Sequence, residues 1–121
     1  MIAGEGELRP QLEARVRELG LTDRVVFAGF RRDLDRLLPA CSVFCLSSRL
    51  EGLGTSLLDA MAFGLPVVAT AAGGIPEAVE HNRSGLLVPP GNAGALGDAI
   101  ARLSADTKLR CAMGAEGKKR Y

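Results

Sequence analysis

Aromatic side chains make up only 4% of the 121 residues, and neither sign of charge prevails: 15 basic and 14 acidic side chains leave a formal net charge of +1. With so few rings, the stacking platforms of single-stranded nucleic-acid binders are missing. Beyond the KKR at 118 to 120 no basic stripe gathers, so nucleic acid is not expected as a partner. Cysteine is sparse too. Cys41, Cys45 and Cys111 are odd in number and none falls in a C-x-x-C pair, which argues against a zinc or redox site. Cys41 and Cys45, in ACSVFCL, suit a buried strand and its approach, and the cysteines read as reduced core thiols. No apolar run is long enough to span a bilayer, and no charged-then-apolar leader opens the chain. The expectation is a protein with no transmembrane segment, in the cytoplasm.

What is abundant is apolar residues, 47% of the chain, and glycine, with 15. That length and oiliness suit one domain with one core. Short runs rich in Val and Phe alternate with longer amphipathic stretches, the pattern of βαβ units. Strands are expected at Met1 to Ala3, Arg24 to Ala28, Ser42 to Leu46, Pro66 to Thr70 and Gly85 to Val88. Helices are expected at Leu8 to Leu19, Asp33 to Ala40, Ser56 to Phe63, Pro76 to Glu80, Ala93 to Leu103 and Asp106 to Gly114. Strands apolar on both faces need cover on both sides, which a doubly wound parallel sheet between helices supplies. Ligands of such sheets bind at the carboxyl ends of the strands. The glycines collect there, at 4 to 6, 29, 52 to 54 and 73 to 74.

The stretch EGLGTSLLDAMAFGLP, residues 51 to 66, places a carboxylate and flexible backbone in front of an apolar helix. Glycines let a ligand approach the backbone, and a helix beginning at Thr55 and Ser56 offers unpaired amides to an anion such as phosphate. Glu51 would repel phosphate, so it suits the uncharged part of the same ligand, accepting hydrogen bonds from hydroxyls. Phosphate beside a polyol describes a nucleotide sugar. The same residues also allow a ligand-free reading, a capping box between Ser56 and Asp59. Elsewhere, DLD at 33 to 35 imitates a D-x-D metal motif, but two residues apart on a helix the side chains diverge, and Asp33 reads as a cap. Glu77 after GGIP suits a first helical turn, His81 a helix end. No metal and no cofactor follow from the sequence.

SSRLEGLGTSLLDAMAFGLPVVATAAGGIPEAVEHNRSGLLVPPGN, with GEGELRPQLE and VVFAGFRRD before it, resembles the donor-binding segment of the family 4 (group 1) retaining glycosyltransferases, which have the two-domain GT-B fold. The likeness runs from Gly4 to about Gly114, with four motifs in order. It implies an incomplete Rossmann-like C-terminal domain over residues 1 to 121 that binds a nucleoside diphosphate sugar. It places Glu51, first acid of an E-x7-E motif and candidate catalytic residue, on the donor sugar. Backbone amides of Gly52, Leu53, Gly54 and Thr55 would meet sugar hydroxyls, and those of Ser56 and Leu57 the diphosphate. The second acid, which binds ribose in the family, is Asp59 here, shorter than Glu by roughly 1.5 Å. The loop of Gly29, Phe30 and Arg31 corresponds to the part that lines the nucleobase through backbone groups.

The resemblance also implies that parts of the family pattern lie outside this sequence: the acceptor-binding domain, a first strand and an Arg and a Lys that serve the diphosphate. In a sheet ordered 3-2-1-4-5-6 that first strand is central. Without it two strand edges are left unpaired, to close on each other or to recruit a second copy as a homo-oligomer. The 121-residue chain alone is then expected to be inactive. Three readings remain: a glycosyltransferase fragment keeping part of its donor site, a stand-alone nucleotide-binding module, and an inactive truncated gene product.

Overall fold

The computed structural model describes all residues from Met1 to Tyr121. The chain forms two compact units, Met1–Leu34 and Asp35–Tyr121. In the first, strand β1 (Ile2–Ala3) pairs in parallel with β2 (Phe27–Gly29), joined by helix α1 (Arg9–Glu18). The β2 strand was expected from Arg24; it starts later because the amides of Arg24 and Val25 both donate to the Leu21 carbonyl, in a turn that follows α1. Pro10 at the start of α1 costs nothing, since the first-turn amides have no intrahelical acceptor.

The second unit holds a three-stranded parallel sheet in the order β3 (Phe44–Leu46), β4 (Val67–Thr70), β5 (Gly85–Val88). Around it run α2 (Leu34–Leu37), continued by a 3-10 turn at Leu38–Ala40, then α3 (Thr55–Ala62), α4 (Ile75–Ala78), α5 (Ala93–Ala105) and α6 (Thr107–Arg120). The pairing is in register, Phe44 with Val67 and Val67 with Gly85. The fold is Rossmann-like α/β, as its parallel strands and crossover helices require.

β4 is central, and every residue of it is buried, as its unalternating apolar run foretells. Successive side chains point to opposite faces. Val68 joins Leu86, Val88, Ala99, Leu103 and Met113 in a core built with α5 and α6, and α3 adds the fully buried Leu57 and Met61. Each buried side chain of this size contributes about 1.5–3 kcal/mol. Opposite Val67 only glycine fits: a β-carbon on Gly85 would come 2.5 Å from a Val67 methyl.

Two expectations are corrected here. The last helix was to end at Gly114; it continues to Arg120 because Gly114 and Gly117 lie on the packed side of α6. A β-carbon on Gly114 would overlap the Gly64 carbonyl oxygen, and one on Gly117 would lie 3.5 Å from the Ser84 carbonyl. Glycine at 114 permits close approach, that at 117 meets its neighbours at ordinary contact distance, and neither ends the helix. The cysteines are free thiols as expected, but Cys45 and Cys111 are exposed and Cys41 is half-buried. β3 pairs only with β4, so Cys45 lies on an edge strand. Burial by its neighbours still pushes its thiol pKa up, which disfavours the reactive thiolate.

Candidate nucleotide-sugar site

The loop from Ser47 to Gly54 leaves the carboxyl end of β3 and feeds α3. It lies beside the loop that leaves the carboxyl end of β4. Three contacts bind the two loops. The buried Thr70 hydroxyl donates to the Ser48 carbonyl at 2.5 Å, and the Gly74 amide donates to the Gly52 carbonyl at 3.0 Å. Gly73, at φ +53°, packs so close to Glu51 that a β-carbon would overlap the Glu51 carbonyl oxygen. Glu51 itself is half-buried, and its Oε2 accepts a 2.9 Å hydrogen bond from the Ser48 hydroxyl.

α3 opens without a side-chain cap. Its N-cap is Gly54, held left-handed at φ 61° and ψ 55°, a conformation in which glycine carries no strain. The Ser56–Asp59 capping box is therefore not formed. The helix begins at Thr55, so Ser56 already lies inside the first turn, where its hydroxyl cannot take the cap position. Asp59 is exposed, one turn along from Thr55 and on the same side of the helix.

The amides of Gly52, Leu53, Gly54, Thr55 and Ser56 donate to no acceptor within the chain, whereas that of Leu57 donates to the Gly54 carbonyl at 2.8 Å. The Leu57 side chain is wholly buried and anchors the turn, while Leu53 is 69% exposed. A row of open amides at a helix start, with a carboxylate alongside, can hold an anion and a polyol together.

Gly29, Phe30 and Arg31 belong to the first unit. Gly29 ends β2 and its carbonyl accepts from the Gly4 amide at 2.7 Å. Phe30 is 70% exposed, with the Arg32 guanidinium 6.0 Å from its ring centre. Arg31 grips Asp33 with two bonds, Nε to Oδ1 at 2.8 Å and Nη2 to Oδ2 at 2.6 Å. The same unit contains an open hollow of about 450 Å³ that includes Ile2, Ala3, Leu8, Leu12 and Phe27 in its walls, and none of Glu51 to Asp59.

Other singled-out residues have structural work. The His81 Nδ1 accepts from the Leu87 amide at 3.0 Å, tying the turn after α4 to β5. Glu77 lies in the first turn of α4, and its carbonyl accepts from Arg120 at 3.3 Å. Sequence reasoning missed the roles of Ser48 and Thr70. The only trace of them was a pair of hydroxyls before Glu51 and a threonine closing an apolar strand.

No helix is long and apolar enough to cross a membrane. The model of the glycosyl transferases group 1 family matches residues 1–120. The amylovoran biosynthesis glycosyltransferase AmsK of Erwinia amylovora is 40% identical in an alignment 111 residues long that covers 85% of this chain and 27% of that protein. The lipopolysaccharide core biosynthesis glycosyltransferase LpsE of Rhizobium meliloti is 36% identical over 116 residues, 96% of this chain and 34% of that protein. Among solved structures, Anabaena HepE in complex with UDP-glucose superimposes with a TM-score of 0.90 at 34% identity, covering 97% of this chain and 34% of HepE. The C-terminal domain of LpcC, a group 1 glycosyl transferase of Francisella tularensis, does so at 0.87 and 30% identity, covering 94% of this chain and 60% of that one. The chain thus spans between 27% and 34% of the two curated relatives. A family match over nearly every residue, on a Rossmann-like α/β fold shared with such enzymes, makes this chain a member of the group 1 glycosyl transferases.

Proposed function

We propose that the chain is the donor-binding part of a retaining glycosyltransferase, which moves a sugar from a nucleoside diphosphate to an acceptor hydroxyl. The observation that carries this reading is the juxtaposition at the start of α3: the Glu51 carboxylate beside the open amides of Gly52 to Ser56. HepE, which shares this fold, has been solved with UDP-glucose. In the proposed complex Glu51 accepts from sugar hydroxyls, and the amides of Gly52 to Thr55 donate to the sugar. The Ser56 amide, with that of Leu57 sharing its proton, donates to the diphosphate, where the helix dipole favours the negative charge that grows on the leaving group. Asp59 accepts from ribose, and the backbone of Gly29, Phe30 and Arg31 lines the base. On this reading residues 1–121 are a nucleotide-sugar-binding domain working in the cytoplasm, and turnover requires the acceptor-binding remainder of the enzyme.

The test is Glu51→Ala in the intact enzyme. Use of the nucleotide sugar should fall by two orders of magnitude or so, while affinity for the free nucleoside diphosphate stays within a few fold, since only sugar hydroxyls lose a partner. Equal losses for both ligands would remove the sugar assignment and favour a plain nucleotide-binding module.

A further inference from the structure

Resting on that reading, we infer that Ser48 and Thr70 are positioning residues that aim the Glu51 carboxylate at the donor sugar. The Glu51 side chain hangs from a loop whose neighbours Leu50 and Leu53 are 93% and 69% exposed, so nothing apolar packs it into one rotamer from those sides. Its side-chain hydrogen bond comes from Ser48, whose hydroxyl donates to Oε2 at 2.9 Å. A serine hydroxyl has a single proton. Spent on Oε2, it leaves Oε1 with both lone pairs open to ligand hydroxyls.

Ser48 is in turn held from the sheet. Its carbonyl accepts the hydroxyl proton of Thr70, which is 3% exposed at the carboxyl end of the fully buried β4. Strand β4 is the most enclosed element of the second unit, and through Thr70 its rigidity passes to the Ser48 backbone and then to the carboxylate. Gly73 and Gly74 serve the same end by letting the following loop lie directly against the Glu51 and Gly52 carbonyls. A carboxylate set in one direction before the ligand arrives selects for a sugar hydroxyl at one place; the diphosphate, held by amides, does not depend on it.

The experiment measures UDP-glucose and UDP binding, and GDP-mannose and GDP binding, to the chain and its variants by calorimetry. It also measures the Glu51 side-chain rotamer by NMR scalar couplings without ligand. Ser48→Ala should weaken the nucleotide sugar about tenfold with the nucleoside diphosphate unchanged within about twofold, and Ser48→Thr should restore it. Thr70→Val should lose nearly as much, and Thr70→Ser should recover it. In Ser48→Ala the Glu51 couplings should move from a single rotamer to averaged values, a change that a stability role alone would not produce and that needs no ligand. Should Glu51→Ala abolish sugar preference while Ser48→Ala leaves both that preference and the couplings intact, the positioning role is overturned and the donor-site reading stands. Should Glu51→Ala leave sugar preference untouched, the donor-site reading fails, and with it this inference.

Discussion

Gly73 lies against Glu51 in a way no other residue could: its φ is +53°, and a β-carbon would overlap the Glu51 carbonyl oxygen. The loop after β4 thereby sets where the loop after β3 carries its carboxylate. Gly73→Ala combines strain with collision and should cost on the order of 2–4 kcal/mol. Gly97 makes the contrast, inside α5 with nothing within 4 Å of an added β-carbon. Gly97→Ala should stabilise by about 0.5–1 kcal/mol. Urea unfolding of both variants checks the pair, and opposite signs are the expected result.

Asp59 provides a second test, since its helix is not capped by it. Asp59→Ala should leave stability within about 0.5 kcal/mol, as an exposed residue without a cap bond would, yet weaken nucleotide binding. Asp59→Glu adds one carbon of reach toward two ribose hydroxyls and should tighten it. Titration with UDP and GDP, beside thermal unfolding, separates the two effects. A stability loss of about 1 kcal/mol in Asp59→Ala without any change in binding would speak for the cap instead.

The strand edges make a third. β1 pairs only with β2, and β3 only with β4, leaving backbone donors and acceptors on each outer edge for another chain to meet. Sedimentation of the 121-residue chain should show dimers or larger species, and donor hydrolysis should be far below that of a longer protein carrying upstream sequence. A monomer with turnover equal to the longer form would count against both expectations.

The carboxyl end of α6 is predicted to respond to acid. Lys119, bonded to Glu116 at 2.7 Å, and then Arg83 hold the Glu116 pKa below its usual 4.5. A carboxylate whose pKa falls on folding stabilises the fold above its unfolded value and ceases to do so as pH drops through the folded one. The contribution from this pair should therefore be constant from pH 7 to about 5 and fade below 4.5. Since Lys119 is exposed and Glu116 only partly buried, 0.5 M salt should remove most of it. Comparing Lys119→Ala with the parent in unfolding at pH 7 and pH 3 measures this directly: the difference should shrink at the lower pH.

Much of the architecture was legible because apolar runs that need cover on two faces leave few alternatives. The strand Gly85–Val88 has the bounds its apolar run suggests, and the other elements lie within a few residues of theirs except the last helix, which runs on to Arg120. Their ends moved where turn hydrogen bonds, unseen in composition, claimed the flanking amides, as Leu21 does for Arg24 and Val25. Of the candidate site, Glu51 and the glycines around it could be read, since acid, glycine and helix start are adjacent in the chain and their chemistry is local.

Other features depended on partners distant in sequence. Gly114 reads locally as a helix stop, and only the Gly64 carbonyl pressed against it shows why α6 runs on. Ser56 and Asp59 have capping-box spacing, but the left-handed Gly54 took the helix start one residue earlier. The Thr70 hydroxyl reaches the Ser48 carbonyl across 22 residues of sequence. The amino-acid order by itself determined a parallel α/β fold with an acid and open amides at one helix start, because burial and backbone propensity act residue by residue. The direction in which Glu51 points was decided only by the tertiary structure, because it rests on hydrogen bonds and close backbone approaches that exist only once β3 and β4 lie side by side.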